Sequence, residues 1–145
     1  MPSGQAYKCK KANFINPKEE NYDERLFAKL QEEKVDLIVL AGFLLKVPSE
    51  LIEAYPKKIV NIHPSLLPKY GGKGMYGMKV HEAVAAANEK ESGITIHYVN
   101  ENLDEGEIIF QAKCELLPTE SPEEIAAKVH KLEYEFFPKV IAELL

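Results

Sequence analysis

Cysteine is scarce in this chain: Cys9 and Cys114 are the only two among 145 residues. Two thiols do not make a disulfide scaffold at this length, and neither has partner ligands at metal spacing. No metal is expected, and a reducing, cytoplasmic setting fits. Basic charge is short too. The 18 Lys and Arg face 23 Asp and Glu, for a net charge of −5, which argues against a generic nucleic-acid binder. Long apolar runs are absent: the longest, Leu37 to Leu45, falls far short of a membrane span. The opening Met1-Pro2-Ser3-Gly4 lacks the apolar core of a signal peptide. A phosphate-binding P-loop is missing, because Gly72-Lys73 runs into Gly74 rather than Ser or Thr. So is a serine elbow, since Ser65 follows Pro64 with no flanking glycines.

What remains is a globular composition, 46% hydrophobic and 28% charged, in a length that suits one domain over residues 1–145. Residues 1–21 are polar and irregular, with Asn16-Pro17 as a turn signal. Asp23 to Lys34 carries Leu26, Phe27 and Leu30 at helical spacing. Asp36 to Gly42 reads as a strand buried on both faces. Pro48 to Ala54 reads as a short crossover helix leading to a strand at 59–62, which makes a βαβ unit. Lys79 to Lys90 reads as a helix with Val80, Ala83, Val84 and Ala87 inward. Gly93 to Val99 and Ile108 to Leu116 alternate as strands, with Cys114 a packed thiol. No helix separates them, so they should pair antiparallel. Ser121-Pro122-Glu123-Glu124 is a capping box opening a final helix with an Ile125, Val129, Leu132, Phe136, Val140 stripe. Pro138 is expected to kink or end it.

The organising stretch is Ile59-Val60-Asn61-Ile62-His63-Pro64-Ser65-Leu66-Leu67-Pro68. A β-branched strand runs into two prolines, so the sheet should stop near His63. In an open parallel sheet that carboxyl edge is where ligands bind. Alternation puts Asn61 and His63 on one side, where an amide and an imidazole suit a carbonyl group. The same residues also fit a turn cap and a histidine packed on Pro64. Asp104, in the turn before a strand, fits an Asx cap or a carboxylate that orients an imidazole. His97 lies within a strand; His81 and His130 fall on helices among charges and are expected to be solvated. With no placed nucleophile on the chain, Asn61, His63, His97 and Asp104 suit acyl transfer to a nucleophile brought by the substrate. Four glycines between Gly71 and Gly77 allow close backbone approach to a ligand or a mobile lid.

The run from Asn61 to Pro68, with Ala41-Gly42-Phe43 before it and Leu103-Asp104-Glu105-Gly106 after it, resembles the 10-formyltetrahydrofolate-dependent formyltransferases. The resemblance covers about residues 22–145. It implies an α/β fold: an open, mostly parallel, Rossmann-like sheet with an antiparallel C-terminal strand pair and helices on both faces. It also implies formyl transfer from 10-formyltetrahydrofolate to the amine of glycinamide ribonucleotide, in purine biosynthesis. Asn61 and His63 would stabilise the oxyanion, and Asp104 would hold His63 charged and help move protons off the amine. The pterin would lie against Phe43, Leu44, Leu45, Val47, Ile52, His97 and the turn Val99, Asn100, Glu101, Asn102, Leu103. Pro64 and Glu133 would contact the ribonucleotide. A homodimer is compatible with the resemblance. The family's first strand–turn–helix unit, which binds the substrate phosphate, has no match before residue 22, so the fold is expected to be N-terminally incomplete and its turnover weak. A formyltetrahydrofolate hydrolase, a methionyl-tRNA formyltransferase-like enzyme and a non-catalytic folate-binding fragment are the alternatives.

Overall fold

The computed structural model describes residues 14–43 and 45–145; most of the expected irregular segment thus lies outside the described residues. The chain divides into two compact units, Met1–Asp36 and Leu37–Leu145. In the first, the Asn-Pro signal is an Asx turn: Asn16 Oδ1 accepts from Lys18 N–H at 3.0 Å. Helix α1 (Tyr22–Glu32) follows. It ends because Lys34 turns left-handed, φ 53°. The Lys34 and Val35 N–H groups then fold back on the carbonyls of Gln31 and Leu30.

The second unit runs β1 (Ile38–Leu40), α2 (Ser49–Ala54), β2 (Ile59–His63), α3 (Met78–Ala86), β3 (Glu91–Tyr98), β4 (Ile108–Glu115) and α4 (Pro122–Leu144). The strands form one sheet in the order β1-β2-β3-β4. β1 and β2 pair in parallel, as the βαβ reading requires. β3 turns back on β2, and β4 on β3, so both of those pairings are antiparallel. The parallel part among the described residues is therefore one pairing of three. β1 is shorter and less buried than expected. It lies at the edge of the described sheet, and Val39 is 38% exposed.

Register follows from alternation. Ile62 pairs with Ile96, Ile96 with Phe110, and Ile94 with Ala112. That apolar face packs against Val84 of α3 and Ile125 and Val129 of α4, with Leu132, Phe136 and Cys114 at its margin. Burial pushes the Cys114 thiol pKa up, consistent with a packed group. α4 begins with the expected capping box. It does not stop at Pro138: the stripe continues to the buried Val140, and packing there outlasts the one backbone bond proline removes. α3 ends four residues early, at Ala86. Asn88 turns left-handed, and the Asn88 and Glu89 N–H groups close on Ala85 and Val84. Ala87 is consequently exposed. The inward position is taken instead by His81, which is buried rather than solvated.

Candidate active site

The opposite face of the sheet is polar. β2 supplies Asn61 and His63, β3 supplies Thr95 and His97, and β4 supplies Gln111. Their register partners are Asn61 with His97, His63 with Thr95, and Thr95 with Gln111. Thr95 organises the loop after β2. Its hydroxyl donates to the Ser65 carbonyl at 2.7 Å and accepts from Leu67 N–H at 3.0 Å and Gln111 Nε2 at 2.9 Å. One donor and two lone pairs are thus all used. Gln111 also donates to the Leu67 carbonyl, and the buried Ser65 hydroxyl donates to the Lys69 carbonyl. The loop from Pro64 to Tyr70 is thus pinned to the sheet at Ser65 and Leu67 and braced internally from Ser65 to Lys69.

Pinning the loop sets the catalytic candidate. The Tyr70 carbonyl lies 2.7 Å from His63 Nε2. A carbonyl only accepts, so Nε2 carries a proton. Nδ1 is left facing Asp104 Oδ1 at 3.5 Å, with both side chains almost wholly buried. Asp104 reaches that place from the turn between β3 and β4. Its backbone is left-handed, φ 57°. Two residues on, Gly106 passes so close to β3 that a Cβ would sit 1.5 Å from the Tyr98 carbonyl oxygen. Only glycine allows that approach. The second carboxylate oxygen, Oδ2, accepts from Gly72 N–H at 2.9 Å.

His97 is the neighbouring support. Its Nδ1 donates to the Tyr98 carbonyl at 2.9 Å, which leaves Nε2 to accept from the Asn61 amide at 3.2 Å. The same Nε2 is 3.9 Å from Asp104 Oδ1. Burial lowers the His97 pKa, against the opposing pull of Tyr98 and Asp104. The ring is therefore a neutral acceptor that orients Asn61, with one amide hydrogen left for a ligand. A skipped residue in the β3–β4 ladder at Ile96/His97 marks the spot, as bulges beside sites commonly do.

Two cavities open on this cluster. The larger, about 620 Å³, is lined by Ala41, Gly42, His63, Pro64, Gly74 to Gly77, Glu133, Tyr134, Phe137 and Pro138. The smaller, about 550 Å³, is lined by Leu45, Val47, His97 and the turn Val99 to Leu103. Phe43, Asn61, Gly72, Lys73, Leu103 and Asp104 border both. Expected site residues are thus brought together, with two qualifications. Ile52, half-buried on α2, lines neither cavity, and Leu44 lies outside the described residues. Glu133 also meets His130 Nδ1 at 3.3 Å. His130 is exposed, as expected. Sequence reasoning did not single out Thr95, Gln111, Gly72 or the Tyr70 carbonyl. Alternation places Thr95 beside His97, which was a usable signal; the loop contacts left none.

A carboxylate, an imidazole and an oriented amide thus meet where the two cavities share a wall. Residues 4–141 match the family described as Formyl transferase, and the chain belongs to that family. It is 44% identical over 115 residues to "Phosphoribosylglycinamide formyltransferase, chloroplastic" of Arabidopsis thaliana, covering 79% of this chain and 39% of that protein. It is 39% identical to phosphoribosylglycinamide formyltransferase of Bacillus subtilis, covering 86% of this chain and 61% of the relative. The crystal structure of phosphoribosylglycinamide formyltransferase from Bacillus halodurans superposes with a TM-score of 0.79 at 36% identity, over 90% of this chain and 64% of that one. The chain spans from about two fifths to three fifths of these curated relatives' lengths. No described helix is long and apolar enough to cross a membrane.

Proposed function

We propose that this chain transfers a formyl group from 10-formyltetrahydrofolate to the amine of glycinamide ribonucleotide, a step of purine biosynthesis. The observation that carries the reading is the shared wall of the two cavities, where Asn61 and Asp104 border both. The reaction needs two ligands whose reacting atoms meet, and this is where they would. The smaller cavity, with Phe43, Leu45, Val47 and Val99 on its wall, suits a flat pterin held by apolar side chains and a polar turn. The larger, with Pro64 and Glu133, takes the ribonucleotide.

In this scheme the neutral amine attacks the formyl carbon, forming a C–N bond while the carbonyl oxygen becomes an oxyanion. The free amide hydrogen of Asn61 donates to that oxyanion, while His63, held between the Tyr70 carbonyl and Asp104, supports it through the positive charge its ring carries in this scheme. Asp104 pairs with the imidazolium and accepts the proton lost by the amine through a water molecule. The bond to the folate nitrogen then breaks, and that nitrogen takes up a proton. A cytoplasmic setting is our reading of the compartment, since the chemistry needs no oxidised thiol; the Arabidopsis thaliana relative is named chloroplastic.

The test is a single-turnover reaction of the chain at high concentration with both substrates, the formylated amine being followed by mass spectrometry. We expect product above the spontaneous rate, and His63→Ala to return it to that rate. Equal rates with and without the imidazole overturn the assignment. Formate released without formylated amine identifies a hydrolase instead.

A further inference from the structure

A third cavity, about 270 Å³, takes no part in the chemistry above. It forms where the sheet runs out. The β2–β3 ladder ends at His63 and Thr95, so residues 91 to 94 of β3 extend past β2. The loop after β2 lies there instead, close enough that a Cβ on Gly93 would sit 2.8 Å from the Leu66 side chain. Leu66, Pro68 and Val84 make part of the cavity wall apolar. Ser92 lines it too. That residue is 2% exposed, and its hydroxyl oxygen has no hydrogen-bond partner among the described residues. A buried hydroxyl left unpaired is costly, and a polar ligand atom would relieve it. The space is roughly nine times the share of one liquid water, and it falls below the range of about 300–1,000 Å³ usual for drug-sized ligands. It has the size for a small metabolite.

The charges on its wall narrow the kind. Lys69 faces Glu89 at 3.7 Å, and Lys113 faces Glu91 at 3.8 Å. All four line the cavity, so its cations and carboxylates cancel. A net anion or a net cation would meet as many like charges as opposite ones. A molecule carrying one charge of each sign is complementary to both. The two lysine side chains are largely exposed, and exposed pairs of this kind are weak enough to re-form around a ligand. The remaining polar groups divide the same way. The Ser92 hydroxyl can donate to a carboxylate. Gln111 spends its amide nitrogen on the Leu67 carbonyl and the Thr95 hydroxyl, which leaves its carbonyl oxygen for an ammonium. The cavity also adjoins the catalytic candidate. Lys69 and Tyr70 line it, and the Tyr70 carbonyl is the group 2.7 Å from His63 Nε2. The Lys69 carbonyl accepts from the Ser65 hydroxyl. A molecule in the cavity therefore bears on the residues that set His63.

We propose that this cavity is a binding site for a zwitterionic α-amino acid with a small aliphatic side chain, which braces the loop holding His63. The carboxylate takes the Ser92 hydroxyl and a lysine, the ammonium takes a glutamate and the Gln111 carbonyl, and the side chain lies against Leu66, Pro68 and Val84. The binding does not depend on the formyl-transfer reading and is measured without turnover. The probe is L-valine, titrated by calorimetry into the full chain, Ser92→Ala, Lys69→Gln and Glu133→Gln. Isovalerate, which lacks the ammonium, and isobutylamine, which lacks the carboxylate, are the comparison ligands. We expect saturable binding of valine, and each analogue to bind about tenfold more weakly or worse. Ser92→Ala and Lys69→Gln should each weaken valine binding about tenfold, as loss of one charged hydrogen bond does. Ser92→Ala should hold or raise the urea midpoint, because it removes an unpaired buried hydroxyl, so lost binding there is not lost folding. Glu133→Gln, in the larger cavity, should bind valine as the unsubstituted chain does. In nitrogen NMR spectra of histidine-labelled chain, saturating valine should shift the His63 ring signals, and Ser92→Ala should lose most of that shift at the same valine concentration. No valine binding, equal binding of either analogue, unchanged affinity in Ser92→Ala or Lys69→Gln, or the same loss in Glu133→Gln overturns the proposal. So does a His63 signal that valine leaves in place. The expected pattern in a chain that transfers no formyl group keeps the amino-acid site and sinks the reaction. Transfer by a chain that binds no valine does the reverse.

Discussion

On one side of the β2–β3–β4 ladder stand Ile62, Ile94, Ile96, Phe110 and Ala112. One residue along each strand, on the other side, stand Asn61, His63, Thr95, His97 and Gln111. At β3 both sides are deeply buried, since Ile94, Ile96 and Thr95 have no exposed surface and His97 has 2%, while on β4 Gln111 is exposed. The difference lies in how burial is compensated. The apolar face needs only shape and contact. The polar face needs a partner for each buried group, because an unsatisfied one costs about 1–3 kcal/mol. Thr95, Ser65, His63 and His97 each have theirs. A sheet with one such face can hold a reacting group rigidly without relying on it for stability.

Asp104→Asn breaks the comparison most sharply. The amide keeps the shape and can still accept from Gly72, but it no longer offers a carboxylate to His63 or to a departing proton. Turnover should fall by about 10²–10⁴, the range for a positioned acid or base. The urea unfolding midpoint should hold or rise, since functional groups are kept at some cost to stability. A variant that turns over normally removes Asp104 from the mechanism; one that unfolds makes the polar face structural.

How far this division could be read in advance depended on distance along the chain. Alternation in β2 put Asn61 and His63 together, and the antiparallel pairing of β3 and β4 followed from the lack of a helix between them. The capping box at Ser121 set the start of α4 to the residue. Meeting across the sheet was harder: the separation of Asp104 from His63 is closed by Gly106 and by the reversal of β3 onto β2, and the strand pattern alone carried no sign of that pairing. The burial of His81 was missed because charged neighbours on a helix say little about which face a tertiary partner will cover. The length of β1 was overread for a related reason, as a run of apolar residues does not reveal whether the sheet continues past it.

The apolar face is sharpened by Ile94→Ala. Ile94 is fully buried and packs among Val84, Ile125 and Val129. Truncation should cost about 2–5 kcal/mol, through lost transfer energy and the cavity left behind. Asn61 and Asp104 make no hydrogen bond to that cluster, and His63 meets it only through the backbone carbonyl of Tyr70, whose side chain packs at its margin. Under conditions where the variant is still folded, calorimetric affinity for a folate ligand should match that of the unsubstituted chain. A loss of affinity well before unfolding would mean that the two faces are not separable.

The smallest effect tests both faces at once through acid. His97 bonds Asn61 and Tyr98 and faces Asp104 and His63 on the polar side; His81 is on α3, near His130 and His63, and its Nδ1 has no partner. Burial lowers both pKa values from the ordinary 6.5. The unfolded chain therefore binds protons near pH 6.5 that the folded chain refuses. Stability from these groups is fully present above about pH 6.5 and declines as pH falls from there toward the lowered folded values. Each group adds at most about 1.4 kcal/mol per pH unit to the slope. Replacing either histidine by Asn should roughly halve the decline in unfolding free energy between about pH 6.5 and 5.5, read from urea curves as a slope rather than as absolute stability. The two variants should nevertheless part company in ligand binding. A proton on His97 Nε2 removes the acceptor that holds the Asn61 amide and turns the ring toward Asp104, so acid should weaken folate affinity in His81→Asn much as in the unsubstituted chain. In His97→Asn, whose side chain has no such proton to gain, affinity should lose most of that pH dependence. Equal acid sensitivity in both variants would place the titrating group elsewhere and leave the neutral state of His97 without a function.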